Sequence, residues 1–359
     1  MASISFVIPT YNFAAFLPET LDSIIAEGYS SIEIIVFDGG SSDNTLEVLE
    51  EYRCRFPELI VLVAAERGNI DIDLNRAVMT AKSDYIWTVS ADDVLMSGWS
   101  KAIYSQLKEH EPDLMLIPAI HCDIRLRPRR DYPILKEPSL GTFRAVIKDD
   151  HDLLSYLSKM RTSEGLFSFC TSCLVRRKRL EQAPLLEYLN GTCWRYATRL
   201  ISILVEHPCK IIVLDQPWIL KRGDNDSFAS SGLIYRLKIA TVNWDIAITY
   251  LHQDSFVRSS MLLLVKSDIR VLTLLYMSQF VGCKEERLIY RACVESRLRG
   301  AGSQMPFLAR ILISMPRFVL LKNSLTLAKL VLRFFQQFIW SLKLSRRYLG
   351  SVKDVFPGN

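Results

Sequence analysis

Short apolar runs and helical stretches alternate along the first 120 residues of the chain. Ile4 to Ile8, Ile32 to Phe37, Leu59 to Ala64, Tyr85 to Val89 and Leu114 to Ile117 are rich in β-branched and aromatic residues and read as strands. Between them, residues 16–26, 44–56, 71–81 and 97–110 carry apolar positions at helical spacing, as Leu17, Leu21, Ile24 and Ile25 do. Four such crossovers in a row predict an α/β fold, a mostly parallel central sheet with flanking helices.

Residues 121–148 break the rhythm with Pro128, Pro133, Pro138 and many charges, and read as a loop or linker. Beyond them the pattern predicts helices over 149–159 and 188–206 and strands over 166–175 and 210–214. After a polar, Gly-containing loop at 222–231 the remainder looks helical. This divides the chain into a body, 1–230, with halves at 1–120 and 121–230, and a helical C-terminal region, 231–359.

The chain has 359 residues, 49% hydrophobic and 23% charged, which excludes a disordered, collagenous or coiled-coil protein. Its net charge of +5 says little, but the distribution says more. Residues 296–353 hold eleven Lys or Arg and no Asp or Glu, so the rest of the chain is net acidic. On a helix, Lys322, Lys329, Arg333, Gln336, Lys343 and Arg347 fall on one arc, opposite Leu327, Leu330, Val331, Phe334, Phe335 and Phe338. No run approaches the roughly 18 uncharged residues of a spanning helix. The tail, about 303–349, is expected to lie on an anionic membrane surface. The eight Cys read as reduced thiols, and the start of the chain lacks the pattern of a signal peptide, so a cytoplasmic location is expected. The pair Cys170 and Cys173 has no second pair to complete a zinc site. No recognition module for nucleic acid accompanies the basic charge.

In an open α/β sheet, ligands bind beyond the carboxyl ends of the strands. There the sequence places Pro9, Thr10, Tyr11 and Asn12, then Asp38, Gly39 and Gly40, then Glu66, Asp71 and Asp73, then Asp92 and Asp93. Asp43 reads as a helix cap. Adjacent carboxylates such as Asp92 and Asp93 repel each other unless a cation intervenes, and hard oxygen ligands suit Mg²⁺ or Mn²⁺. As rim residues they are expected to be exposed. Neither G-x-x-x-x-G-K nor G-x-G-x-x-G occurs.

Val7 to Asn12, Val36 to Thr45 and Ala91-Asp92-Asp93, in this order and spacing, resemble the inverting GT-A glycosyltransferases of family 2. The resemblance implies a nucleotide pocket lined by Pro9, Thr10, Tyr11 and Asn12, with Asp38 on the base. It further implies Asp92 near ribose or sugar and Asp93 on a metal at the diphosphate. Asn69 to Leu74, Gly191 to Trp194 and Arg222 to Phe228 are similar to the O-antigen, abequosyltransferase-like branch, which uses a CDP-3,6-dideoxyhexose. The implied activity is sugar transfer to a hydroxyl of a lipid-linked oligosaccharide at the inner face of a bacterial plasma membrane, in lipopolysaccharide O-antigen assembly.

Many members place their catalytic base in an acidic pair after the acceptor-side strand, where this chain reads Asn190 to Tyr196 without a carboxylate. Asp71, Asp73, Glu187 and Asp224 are the candidates for a base. Arg222 is either a diphosphate contact or a solvated loop charge. Trp194 and Tyr196 suit core packing better than stacking on a sugar. The missing pair also admits a non-catalytic module that binds nucleotide sugar or scaffolds an assembly complex.

Overall fold

The computed structural model describes residues 2–298 apart from 28–31, 67, 207, 226–231, 268, 270–272, 275–276 and 278–280. The N-terminal elements are β1 (Ile4–Thr10), α1 (Leu17–Ile25), β2 (Ile32–Asp38), α2 (Thr45–Arg55), β3 (Ile60–Val63), α3 (Ile70–Thr80) and β4 (Tyr85–Thr88). Next come β5 (Val94–Leu95), α4 (Trp99–His110), β6 (Leu114–Leu116), β7 (Ala119–Cys122), β8 (Pro128–Tyr132), β9 (Phe143–Ile147) and α5 (Asp150–Lys159). Then follow β10 (Cys173–Arg176), α6 (Arg177–Gln182), α7 (Arg195–Val205), β11 (Cys209–Val213) and β12 (Ile219–Lys221). The chain continues with α8 (Leu233–Ala240), α9 (Val242–Thr249), α10 (Ser255–Lys266) and α11 (Lys284–Leu298).

Ile4 to Ile8 is buried at every position, as happens when both faces of a sheet are covered, and this is why the run lacks polar alternation. Helix starts are set locally. Pro18 stands in the first turn of α1, and the Asn69 side chain accepts from the Ile72 N–H at 3.2 Å to cap α3. Phe6, Trp87 and Trp99 meet at ring separations of 5.3–5.5 Å under the sheet, and Trp87 Nε1 donates to the Thr171 carbonyl at 2.8 Å.

The main sheet has the order β3-β2-β1-β4-β10-β6-β11-β9. Six strands run one way, whereas β10 and β9 run against them. A second sheet, β5-β12-β7-β8, stands beside the end of β4. Residues 121–148 are therefore no linker. β8 is an edge strand whose charges face solvent and whose Pro128 stands at its first residue, while β9 completes the main sheet. The strand expected at 166–175 shortens to β10, preceded by 3₁₀ turns at Ser163–Leu166 and Cys170–Ser172. The helix expected at 188–206 starts at Arg195, because Gly191 and Cys193 adopt positive φ (84° and 70°).

The chain falls into two compact units, Met1–Asp226 with Ile246–Val265, and Ser227–Asp245 with the residues from Lys266 onward. The segment 246–265 thus groups with the body rather than with the region after 230. In the second unit α8 and α11 share a core of Ile234, Leu237, Tyr290 and Val294, and buried Lys266 pairs with Asp245. The basic stretch 303–349 lies outside the described residues. Among the described residues no helix is long and apolar enough to cross a membrane.

Candidate active site

The rim at the carboxyl ends of β1, β2 and β4 gathers most of the acidic residues singled out by the sequence. The loops after β1 and β2 are latched to each other. The Gly39 N–H donates to the Thr10 carbonyl at 2.8 Å, and Asn12 Oδ1 accepts from the Ser42 N–H at 2.8 Å. Asn12 takes a left-handed backbone, φ 58°, to do so. Asp38 is fully buried, and its carboxylate accepts from the N–H groups of Gly40 and Ser41 at 3.0 and 2.9 Å. Asp38 therefore closes its own turn. Asp43 accepts from the Thr45 N–H at 3.1 Å at the start of α2, in keeping with a capping role.

Asp71 and Asp73 both sit in the first turn of α3, two residues apart, and so aim at different neighbours. Asp71 accepts from the N–H groups of Cys193 and Arg195 at 2.9 and 3.1 Å, capping α7 from another helix. Asp73 points instead toward Gly39 and Gly68. A Cβ on Gly68 would lie 2.7 Å from Asp73 Oδ1, and one on Gly39 would lie 3.2 Å from Oδ2. Asp73 is 8% exposed, and its Oδ1 has no hydrogen-bond partner among the described residues. Burial raises the Asp73 carboxyl against the pull of Arg76, and the Asp38 charge adds to the rise. Thr10 Oγ1, on the neighbouring strand end, is likewise buried without a partner among the described residues.

Asp92 and Asp93 are not exposed rim groups. Asp93 is 2% exposed, its Oδ2 accepts from Thr171 Oγ1 at 2.6 Å and its Oδ1 from the Arg222 N–H at 3.1 Å. Asp92 accepts from Ser90 Oγ and from Asn225 Nδ2. Burial, reinforced by the Asp92 charge, pushes Asp93 up to about 8. Arg222 is not a solvated loop charge. It is buried, donates to the carbonyls of Asp92 at 2.9 Å and Ile124 at 2.6 Å, pairs with Glu19 and lies 4.9 Å from the Phe16 ring centroid. Its guanidinium binds the end of β12 to the end of β4.

The segment 163–172 completes this end of the rim, because β10 runs antiparallel to β4 and enters the sheet where β4 leaves it. Thr171 Oγ1, besides holding Asp93, accepts from the Ser90 N–H at 3.0 Å. Glu164 stands in the first 3₁₀ turn, buried, with Oε1 3.5 Å from Lys221 Nζ and 3.9 Å from His121 Nε2. Neither Thr171, Lys221 nor Glu164 carries a local sequence signal of function.

Residues 5–180 match the model described as Glycosyl transferase family 2. This stretch, just under half of the chain, is similar to glycosyl transferase family 2. The abequosyltransferase RfbV of Salmonella typhimurium is 28% identical over 247 residues, which span 66% of this chain and 71% of that protein. The glycosyltransferase GlyG of Streptococcus pneumoniae is 31% identical over 113 residues, 32% of this chain and 38% of its own length. The solved structure of S. aureus TarS 1-349 in complex with UDP superposes with a TM-score of 0.60 at 16% identity, covering 86% of each chain. The likeness shows a GT-A fold.

In this glycosyltransferase the remaining predicted positions separate. Pro9 and Tyr11 are half-buried at the end of β1, and Glu66 is exposed in the turn after β3. Glu187 is exposed at the start of the 3₁₀ turn Glu187–Leu189. Asp224 is 46% exposed and paired with Arg129 at 3.1 and 2.7 Å. Tyr196 is buried and Trp194 half-buried at the start of α7. Among the described residues one group of three metal-binding side chains comes together, Asp149, His151 and Asp152. There the Asp149 side chain caps α5 by accepting from the Asp152 N–H at 2.9 Å.

Proposed function

We propose that this transferase moves a 3,6-dideoxyhexose such as abequose, with inversion, from a CDP-linked donor to a hydroxyl of a lipid-linked oligosaccharide in O-antigen assembly. The reading is supported above all by the ends of β1 and β2, where, among the described residues, a buried Asp73 oxygen and the Thr10 hydroxyl are left without partners beside Asp38. Cytosine presents an exocyclic amine there and uracil its N3–H, so a carboxylate accepts from either base. Similarity to an abequosyltransferase is what favours the cytosine nucleotide. Pro9, Thr10, Tyr11 and Asn12 line this pocket, with Gly39 and Glu66 at its edge.

The pair Asp92 and Asp93 fits a hard divalent cation. Two carboxylates lie side by side, and burial together with the Asp92 charge holds Asp93 above the ordinary carboxylate range against the pull of Lys221. Two protein carboxylates are what a Mg²⁺ or Mn²⁺ ion takes when substrate phosphates and water complete its sphere. Bound there, such an ion supplies charge neutralisation for the departing diphosphate. The chain's own part is to hold Asp92 through Asn225 and Asp93 through Thr171 and Arg222. The basic amphipathic segment 303–349 would bring the site to an anionic inner membrane face, where the lipid-linked acceptor resides.

Thermal unfolding with CDP, UDP, GDP and dTDP, each with and without Mn²⁺, tests the reading. Ligand at about 100 times its dissociation constant stabilises by about 2.7 kcal/mol. A shift with CDP and Mn²⁺ that UDP does not match is expected. A larger shift with UDP sinks the CDP assignment. Tight nucleotide binding without transfer to any acceptor extract would favour a module that binds nucleotide sugar without catalysis.

A further inference from the structure

The four acids that sequence patterning offers as a base do not converge on the Asp93 end of the rim. Asp71 gives both oxygens to the amides that start α7, Asp73 lies beside Gly39 and Gly68, and Asp224 pairs with Arg129 at the edge strand β8. Glu187 is exposed on a separate turn. A different carboxylate does reach this end. Glu164 is 3% exposed and sits in the segment that β10 draws onto the rim, seven residues before the Thr171 that holds Asp93. Its Oε1 faces Lys221 Nζ at 3.5 Å and His121 Nε2 at 3.9 Å, and its Oε2 has no hydrogen-bond partner among the described residues.

These neighbours belong to the same site. Lys221 and His121 are cross-strand partners on β12 and β7, and Lys221 directly precedes the Arg222 whose N–H holds Asp93. Lys221 Nζ also lies 3.9 Å from the centre of the Phe169 ring, inside the segment 163–172. Lys221 offsets the Glu164 charge while leaving one oxygen without a donor. A buried acceptor without a donor is costly and calls for an explanation, and an acceptor hydroxyl would supply the missing donor.

We infer that Glu164 is the general base that takes the proton of the acceptor hydroxyl. This rests on the transfer reading above. As the acceptor oxygen bonds to the anomeric carbon, its proton passes to Glu164 Oε2. The bond from that carbon to the diphosphate oxygen breaks, and its electron pair leaves with the nucleoside diphosphate. Glu164 then returns the proton to solvent. Lys221 and His121 are positioning residues that keep the carboxylate in place.

The test uses the full-length protein with Mn²⁺ and CDP-glucose, UDP-glucose and UDP-N-acetylglucosamine, reading donor cleavage with water in place of the acceptor, alongside binding of CDP and UDP. Glu164→Gln keeps the shape and is expected to lower cleavage at least 100-fold while nucleotide affinity stays within twofold. Glu164→Asp keeps the charge and withdraws the oxygen by one methylene, and is expected to be at least tenfold slower. Cleavage by either folded variant within threefold of wild type overturns the assignment. So does a Gln variant that loses nucleotide binding and turnover in equal measure, since that marks a structural ion pair. A wild-type protein that binds neither nucleotide removes the donor reading, and this assignment with it. Binding with undiminished cleavage by the variants removes this assignment alone.

Discussion

The backbone N–H of Arg222 donates to Asp93 Oδ1 at 3.1 Å, tying the end of β12 to the end of β4 across 129 positions of sequence. The guanidinium of the same residue fixes the Asp92 carbonyl, so both acids of the pair are set by one arginine. Lys lacks the planar fork that reaches Asp92, Ile124 and Glu19 together. Arg222→Lys is expected to cost about 2 kcal/mol in urea unfolding and to weaken the response to Mn²⁺. Full stability together with an unchanged Mn²⁺ response would falsify this role. Gly223→Ala is expected to act through the same loop, since its Cβ would fall 2.6 Å from the Cys122 carbonyl oxygen, a backbone atom that cannot rotate away.

Asp93 carries a pH dependence of defined sign. Its folded value of about 8 lies above the ordinary 3.8, so the native state keeps a proton that the unfolded chain releases. This contribution is complete below about pH 4 and is lost as pH rises to about 8 in the absence of metal. A divalent ion competes with that proton, so stabilisation by Mn²⁺ is expected to grow from pH 6 to pH 8.5. Asp93→Asn is expected to be at least as stable as wild type at pH 8 without metal, and to lose the Mn²⁺ shift. Melting curves across this range decide it. A Mn²⁺ effect independent of pH would contradict the assignment.

Gly68→Ala separates binding from folding. The atom that its Cβ would crowd, at 2.7 Å, is a carboxylate oxygen of Asp73, and that side chain can rotate. Stability is expected to change by about 1 kcal/mol or less, whereas affinity for CDP should fall at least tenfold as Asp73 leaves its place. Calorimetric titration of CDP measures this directly. Unaltered affinity would remove Asp73 from the pocket.

Asp71→Ala strips the start of α7 of its cap and leaves the N–H groups of Cys193 and Arg195 without an acceptor. A loss of about 2 kcal/mol is expected by chemical unfolding, with Asp71→Asn intermediate because its one carbonyl oxygen still accepts. A stable Asp71→Ala variant would show that α7 does not depend on this cap.

The four N-terminal crossovers are legible in the sequence because doubly covered parallel strands leave apolar runs, such as Ile34 to Phe37, and the helices between them keep their spacing. The rim acids can be read for the same reason, as the residues that follow those runs. β8 is not legible, since an edge strand reading Pro-Arg-Arg-Asp-Tyr has no apolar face to betray it. Nor does the sequence distinguish Asp71 from Asp73. Both look like acids in a first turn, and only the packing of α3 between α7 and the end of β2 gives one a cap to make and leaves the other without a donor. Glu164 escapes for a related reason. The Ser163-Glu164-Gly165 stretch falls between the predicted helix 149–159 and the predicted strand 166–175, and its burial depends on β10 entering the sheet in reverse.

The placement of β10 also bears on how the protein is made. β10 lies between β4 and β6, yet it is synthesised about sixty residues after β6. A nascent chain that has emerged only through residue 120 holds two open strand edges in the middle of its sheet. One of them is the apolar Tyr85–Thr88, a ready template for intermolecular pairing. The N-terminal part, 1–120, is therefore expected not to fold on its own, and truncation before residue 176 is expected to yield a chain that aggregates.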